Sequence, residues 1–208
     1  MNTPRIALAT FLVWTLTVCG SVLAAVPAHA EQNPKVFIEG LAEEAVQALT
    51  TEGVSRADRR SRFGELLNHN FDVTTIGKWV LGRYWRTATD EEKAEYLKLF
   101  EEYVVITYVE RFDQYSGEKL MVTKSVAEPG QDALVSSEIK RPSGGDPIRV
   151  DWRVRSKADV YKIIDVYVEG ISMSQTQRKE FTSVIRANGG TIAGLLGVLR
   201  TQIAKLSN

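Results

Sequence analysis

The stretch DWRVRSKADVYKIIDVYVEG, residues 151–170, decides the fold. Trp152 and Val154 are interleaved with Asp151, Arg153 and Arg155, and Tyr161 and Ile163 follow in the next run. A period of two belongs to a strand with one dry and one wet face. Lys157-Ala158 interrupts the pattern, and a connection that short joins only antiparallel neighbours. Taking 157–158 as a two-residue loop pairs Trp152 with Ile163 and Val150 with Asp165. That register sets Asp165 on the apolar face, where an unpartnered carboxylate is costly. Two roles account for it there. It is either a general base whose pKa burial raises, or a hydrogen-bond acceptor that fixes the junction at Glu169-Gly170.

Working outward, strand-like runs occupy 118–128, 132–141, 147–156 and 160–168, separated by Pro129-Gly130, by Pro142-Ser143-Gly144-Gly145 and by Lys157-Ala158. The prediction is a four-stranded antiparallel meander. Carrying the register across the turns gathers Leu120, Val122, Ala133, Val135, Ser137, Ile139, Ile148, Val150, Trp152, Val154, Tyr161, Ile163, Asp165 and Tyr167 on one face. Arg149, Asp151, Arg153 and Arg155 then face water.

Helical spacing flanks the sheet on both sides. Asn33-Pro34 is an N-cap and first-turn pair, and Ile38, Leu41 and Ala45 recur after it as far as Gly53. Ser55 with Asp58 opens a second helix, and a third covers 72–82. Thr89 to Glu92 reads as a capping box with three acids in the first turn of a long helix. That helix carries an aromatic stripe that includes Tyr96, Phe100, Tyr103 and Tyr108. Such a stripe is core, and also a ligand wall if the core is hollow. Beyond the sheet, Ser174 to Gln177 is a second capping box, and Thr191 caps the last helix, striped by Leu195, Leu199 and Ile203. Helices over 34–116, a sheet over 118–168 and helices over 172–206 make an α+β domain.

The N-terminal stretch combines the basic head MNTPR, an apolar centre and AHA at 28–30. This pattern predicts a signal peptide over 1–30, cleaved after Ala30, leaving one domain over 31–208 exported to the periplasm or exterior; the alternative is an uncleaved membrane anchor, against which Pro27, Ala28 and Ala30 favour cleavage. Cys19 lies inside the segment, so the mature chain has no cysteine and must be stable through its core. Cleavage removes one basic residue, Arg5, from an evenly balanced chain and leaves a net charge of about −1. A near-neutral domain lacks the basic footprint that nucleic acid requires. No stretch after residue 30 is long and apolar enough to span a membrane.

Catalytic patterns are scarce. His69 is the one histidine beyond residue 30, no G-x-S-x-G elbow occurs, and no cysteine or H-E-x-x-H set suggests a metal. No cofactor is expected. Asp165 remains as the one candidate base.

Two stretches carry a resemblance. FDVTTIGKWVLGRYWRTATDEEKAEYLKLFEEYVVITY at 71–108 and YKIIDVYVEGISMSQTQRKEF at 161–181 resemble the MlaC, or toluene-tolerance, family of periplasmic lipid-transport proteins. The matching features are VLGRYW at 80–85 followed by the T-x-x-E helix start, and D-V-x-V-E-G-I-S at 165–172 with Arg178 and Phe181 on the next helix. The QTQRKEFTSVIRANGG tail further resembles HpnM, a branch associated with hopanoids. The family resemblance implies a twisted, nuclear-transport-factor-like sheet wrapped by N- and C-terminal helices around an apolar cavity. It also implies a non-enzymatic carrier of phospholipid or hopanoid between an inner-membrane ABC transporter complex and an outer-membrane lipoprotein complex. Leu81, Tyr84, Trp85, Asp165 and Gly170 fall on the family's motifs.

The expected lipid-facing set joins Leu81, Tyr84 and Trp85 to Phe100, Tyr103 and Tyr108 of the helical stripe. The sheet register adds Val122, Val135, Val150, Trp152, Val154, Ile163 and Tyr167. Asp165 and Gly170 are expected to anchor the wall, and Arg149, Arg153 and Arg155 to contribute to an exposed docking surface. The competing expectation is an isomerase or hydrolase that uses Asp165 as its base.

Overall fold

The computed structural model describes residues 33–51, 53–112, 115–158 and 160–207. The expected signal segment and its cleavage after Ala30 lie outside the described residues. Helix α1 (Pro34–Thr50) is capped by the Asn33 side chain, which accepts from the Lys35 amide at 2.9 Å. Helix α2 (Arg56–Asn70) begins where Ser55 Oγ accepts from the Asp58 amide, and α3 (Val73–Leu81) where Asp72 Oδ1 accepts from the Thr75 amide. A 3₁₀ turn, Gly82–Arg86, leads to α4 (Asp90–Phe112). The capping box at its start is reciprocal: the Glu92 amide donates to Thr89 Oγ1 at 3.2 Å, and the Thr89 amide to Glu92 Oε2 at 3.0 Å.

The strands are β1 (Lys119–Ala127), β2 (Asp132–Lys140), β3 (Ile148–Lys157), β4 (Val160–Val168) and the two-residue β5 (Ile171–Ser172). They form one antiparallel sheet in chain order. β5 was not expected; it follows β4 through Glu169-Gly170, both at positive φ (49° and 77°), as a tight hairpin of primed type requires. Glycine adopts that conformation freely, whereas Glu169 is held in it. Its amide donates to the Arg149 carbonyl, and its carboxylate accepts from the Arg149 amide at 2.6 Å. Helix α5 (Met173–Ala187) has its cap two residues before the expected one, because Ser172 rather than Ser174 accepts from the Gln175 amide. Helix α6 (Ile192–Ser207) follows.

The β1–β3 register places Leu120, Val122, Val135, Val150, Trp152 and Val154 on one face, as expected. β4 departs from expectation twice. Lys157 pairs with Val160, which moves the hairpin by two residues, so that Ile163 opposes Val154 and stays on the apolar face. A bulge then leaves Ile164 as an extra residue, and Asp165 opposes Arg153. One added residue reverses every later side chain. Val166 and Val168 therefore join Trp152 and Val150, while Asp165 and Tyr167 share the other face with Arg153 and Asp151.

Apolar side chains are buried in separate clusters. The helical cluster gathers Leu81, Tyr96, Phe100, Phe181, Ile185, Leu195 and Leu199 from α3 to α6. Within it the Phe181 ring stands edge-on to Tyr96 and Phe100, at centroid distances of 6.3 and 6.2 Å. Tyr96 is wholly buried, its hydroxyl donates to the Gly77 carbonyl at 3.0 Å, and burial pushes its pKa up. The second cluster lies on the sheet, where Ile38 and Leu41 of α1 cover Val135, Val154 and Ile163. Phe71 joins the helices to the sheet edge: it bridges to Ile163, and the Asp72 amide donates to the Ile163 carbonyl at 3.0 Å.

Deleting Ile164 is expected to remove the bulge while leaving Asp165 opposite Arg153 and Val166 opposite Trp152, so that every later side chain keeps its face. The loss in urea denaturation should stay below that of a core Leu→Ala change, hence under about 3 kcal/mol; a larger loss contradicts the bulge.

Candidate functional site

The sheet face under α1 is a continuous apolar surface. Val135, Val154 and Ile163 are fully buried on it, and Trp152 is half-buried. The polar atoms near the indole are already satisfied. Trp152 Nε1 donates to Ser137 Oγ at 3.0 Å, and Ser137 Oγ donates to the Val150 carbonyl at 2.9 Å. The indole is thereby locked in place and presents hydrocarbon rather than an unmet N–H. Phe37 of α1 meets Tyr161 of β4 at 5.7 Å between ring centroids, which closes part of the gap between roof and floor.

What stays open is a cleft of ≈ 490 Å³ where the N-terminal half of α1 passes the end of α2 and the start of β4. Val36, Phe37, Leu41, Val160 and Tyr161 make its apolar side; Asn33, Glu44, His69, Asn70 and Lys162 make its polar rim. Lys162 Nζ donates to the carbonyls of Asn68 and His69, and so ties the α2 end to β4.

The expected lipid-facing residues divide among different places. Val122, Val135, Trp152, Val154 and Ile163 come together on the sheet face, with Val150 buried at the same register parity. Leu81 and Phe100 are packed in the helical cluster, and Tyr103 meets Phe181 there at 6.1 Å. Tyr84 and Trp85 lie at the edge of that cluster beneath cationic side chains. Tyr108 is exposed, and Tyr167 lies across the sheet near Arg153 and Asp165, where burial pushes its pKa up. Sequence reasoning placed Tyr161 on this face without counting it as lipid-facing, and missed Phe37 and Val166 as neighbours of Trp152's cluster. The apolar stripe of α1 signalled the first; the bulge hid the last.

Asp165 is engaged at the β4–α5 junction. Oδ1 accepts from the Val166 amide at 2.9 Å and the Ser174 amide at 3.1 Å, and Oδ2 accepts from Ser172 Oγ at 2.6 Å. Since Ser172 Oγ itself caps α5, the carboxylate is coupled to the first turn of that helix. The arginines expected at a docking surface are paired internally. Arg155 donates to both Asp132 oxygens at 2.7 and 3.0 Å, Arg153 lies 3.0 Å from Glu128, and Arg149 lies 3.3 Å from Glu169. The Arg155 guanidinium holds the Asp132 carboxyl below the usual carboxylate range, outweighing its burial. Among the described residues no group of three or more His, Cys, Asp or Glu side chains could hold a metal.

The model of the MlaC protein family matches residues 39–201. The chain belongs to the MlaC family. It is 25% identical over 117 residues to the intermembrane phospholipid transport system binding protein MlaC of Haemophilus influenzae, a match covering 54% of each chain. It is 22% identical over 191 residues to the toluene tolerance protein ttg2D of Pseudomonas putida, covering 88% of each. The chain thus spans about half the length of the first relative and most of the second. Its fold matches that of a phospholipid-binding protein from Ralstonia solanacearum solved in complex with a phospholipid. The TM-score is 0.71 at 19% identity, over 84% of this chain and 98% of that one. At that identity the likeness is one of fold, and it agrees with the α+β architecture of one antiparallel sheet with helices.

Asp165→Asn is expected to lower stability by about 1–2 kcal/mol, since an amide oxygen replaces only one of the two acceptors and the new NH₂ faces donors. Thermal unfolding beside Ser172→Ala tests the coupling: the double variant should lose less than the sum of the singles. A second expectation concerns acid. The depressed pKa of Asp132 means that its contribution is complete above the unfolded value of about 3.9 and vanishes as pH falls through the lower folded value. Asp132→Asn should therefore be about 1 kcal/mol less stable at pH 7, a figure kept small because Arg155 is partly exposed. The gap should close towards pH 3; one that widens in acid contradicts the pairing.

Proposed function

We propose that the protein is a periplasmic carrier that holds the acyl chains of a phospholipid on the apolar sheet face beneath α1. The observation that carries this reading is the face itself: Val122, Val135, Trp152, Val154, Ile163 and Val166 lie side by side with Trp152 Nε1 already bonded. Membership of the MlaC family supports it, as does the phospholipid bound by a protein of the same fold. The names of the two relatives, one an intermembrane phospholipid transport binding protein and the other a toluene tolerance protein, point the same way.

The physics of the cargo constrains the mechanism. About 30 methylenes at ~0.8 kcal/mol each make exposure of two acyl chains cost on the order of 20 kcal/mol. Release into water is therefore negligible, and unloading needs a docked partner that offers a continuous apolar path. On this reading those partners are an inner-membrane ABC transporter complex and an outer-membrane lipoprotein complex. The open cleft of ≈ 490 Å³ suits a small ligand better than a two-chain lipid. Loading on this reading therefore displaces Ile38 and Leu41 from the sheet, with α1 as the movable wall. A hopanoid is the alternative cargo, favoured by the resemblance of the 175–190 segment to the HpnM branch. Catalysis plays no part in the proposal: Asp165 is outside the cleft lining and its oxygens are taken by the β4–α5 junction.

Organic extraction of natively purified protein, read by mass spectrometry, is expected to yield about one phospholipid or polycyclic terpenoid per chain. Trp152→Arg, which sets a charge on the apolar face, should lower that yield several-fold, while Asp165→Asn leaves it unchanged. Protein free of extractable lipid would sink the carrier reading.

A further inference from the structure

The positive charges of this chain are not distributed evenly with respect to their partners. On the sheet Arg149, Arg153 and Arg155 are neutralised by Glu169, Glu128 and Asp132, and on α6 Arg200 pairs with Glu95. On α3, the 3₁₀ turn and α5 the balance differs. Residues 73–89 contain Lys78, Arg83 and Arg86 and no acidic residue, and α5 adds Arg178 and Arg186. Lys78, Arg83, Arg178 and Arg186 have no carboxylate partner among the described residues.

Instead, these cations are arranged with aromatic side chains. The Arg178 guanidinium lies 4.9 Å from the Trp79 ring centroid, and Trp79 is 43% exposed. Arg83 lies 5.0 Å from the Tyr84 ring and donates to Tyr84 Oη at 3.1 Å. Lys78 lies 5.4 Å from the Trp85 ring. Gly82 joins the two halves: at φ 60° it has a conformation that side chains resist, and a Cβ there would come within 2.7 Å of Arg178. Its missing side chain lets Arg178 lie against the turn that carries Arg83 and Tyr84. Arg83 holds the Tyr84 phenol below its ordinary pKa, and Arg186 acts on the same hydroxyl from α5. Trp79, Arg178, Gly82, Arg83, Tyr84 and Arg186 are thus one continuous surface, linked contact by contact.

We propose that this surface docks the protein on an anionic phospholipid bilayer, with Trp79 and Tyr84 at headgroup depth and Arg83, Arg178 and Arg186 on the lipid phosphates. Tryptophan and tyrosine favour the membrane interface because one end is apolar and the other wet, and unpaired cations are drawn to anionic lipid surfaces. A protein dock would bury its aromatic anchors in a dry pocket. Here a cation already covers one ring face, which leaves charge and ring edge for a wet, uniformly negative surface. The inference goes beyond the carrier reading: it concerns where the protein rests, and vesicle binding is read whatever the cargo.

Co-sedimentation of the purified full chain with vesicles tests it, using phosphatidylethanolamine mixed with phosphatidylglycerol against phosphatidylcholine alone. Binding is expected to the anionic vesicles only, and to fall at least ten-fold on moving from low salt to molar salt. Arg83→Glu/Arg178→Glu should lose at least ten-fold in binding. Lys124→Glu/Lys140→Glu, an equal charge change on exposed sheet positions, should lose much less. If the first pair fails to fold by circular dichroism, Trp79→Ser/Arg83→Gln is read in its place. Equal losses in the patch and control variants overturn the proposal, as does absence of binding to anionic vesicles. Binding of polyglutamate without binding of vesicles assigns the patch to an acidic protein and also overturns it. Extracted lipid is quantified on the same preparations, so a patch variant that keeps its cargo but leaves the vesicles separates this surface from the carrier site.

Discussion

Ile164 is one residue more than β4 needs to pair with β3, and much of the architecture depends on where that extra residue sits. Before it, Ile163 faces α1 and Phe71 bridges alongside; after it, Val166 and Val168 continue the apolar face while Asp165 is turned away. The bulge thereby solves the conflict of an acid within an apolar run without burying a charge among hydrocarbons. Turned to the other face, Asp165 reaches the Ser174 amide and the Ser172 hydroxyl, so the strand and the helix that follows it share one set of hydrogen bonds. The positive-φ turn at Glu169-Gly170 brings Ser172 back alongside Tyr167 and into range.

The helical and the sheet clusters have different tasks as a result. The helical cluster is filled by interlocking rings and by leucines from α6, and its one deeply buried hydroxyl, on Tyr96, has its carbonyl. Close packing of that kind resists intrusion. The sheet cluster is roofed by α1 through Ile38 and Leu41, with Leu66 of α2 beside it, and borders the open cleft. On the proposed carrier reading, the interlocked helical bundle is the rigid half and the roofed sheet the half that yields. Charge follows the same division: arginines of the sheet are locked in pairs, whereas Arg83 of the 3₁₀ turn and Arg178 of α5 stand over aromatic rings with no carboxylate partner among the described residues.

Much of this was legible because it is local. Caps at Asn33, Ser55 and Thr89 act within three residues of themselves, and the alternation of β1, β2 and β3 reports burial directly. The expectation for β4 failed at Ile164 because a bulge is a choice between pairings, and no single strand's alternation records its partner's count. Tyr84 and Trp85 are marked out by their motif, and the structure sets them at the edge of the helical cluster, Tyr84 under Arg83 and Trp85 under Lys78 and Lys93. A motif does not state which packing a ring joins.

The amino-acid sequence by itself determined the α+β class, the order of the helices and the caps of the first ones, three strands in correct register, the family and the want of catalytic patterning. These are consequences of periodicity, capping and turn chemistry, each settled over a few neighbouring residues. Only the tertiary structure decided which way Asp165 and Tyr167 point, that Ser172 caps α5, that α1 roofs the sheet, and which arginines remain without an acid. Those outcomes depend on pairing between distant segments, where a one-residue offset or a contact across the chain costs nothing locally and changes everything it faces.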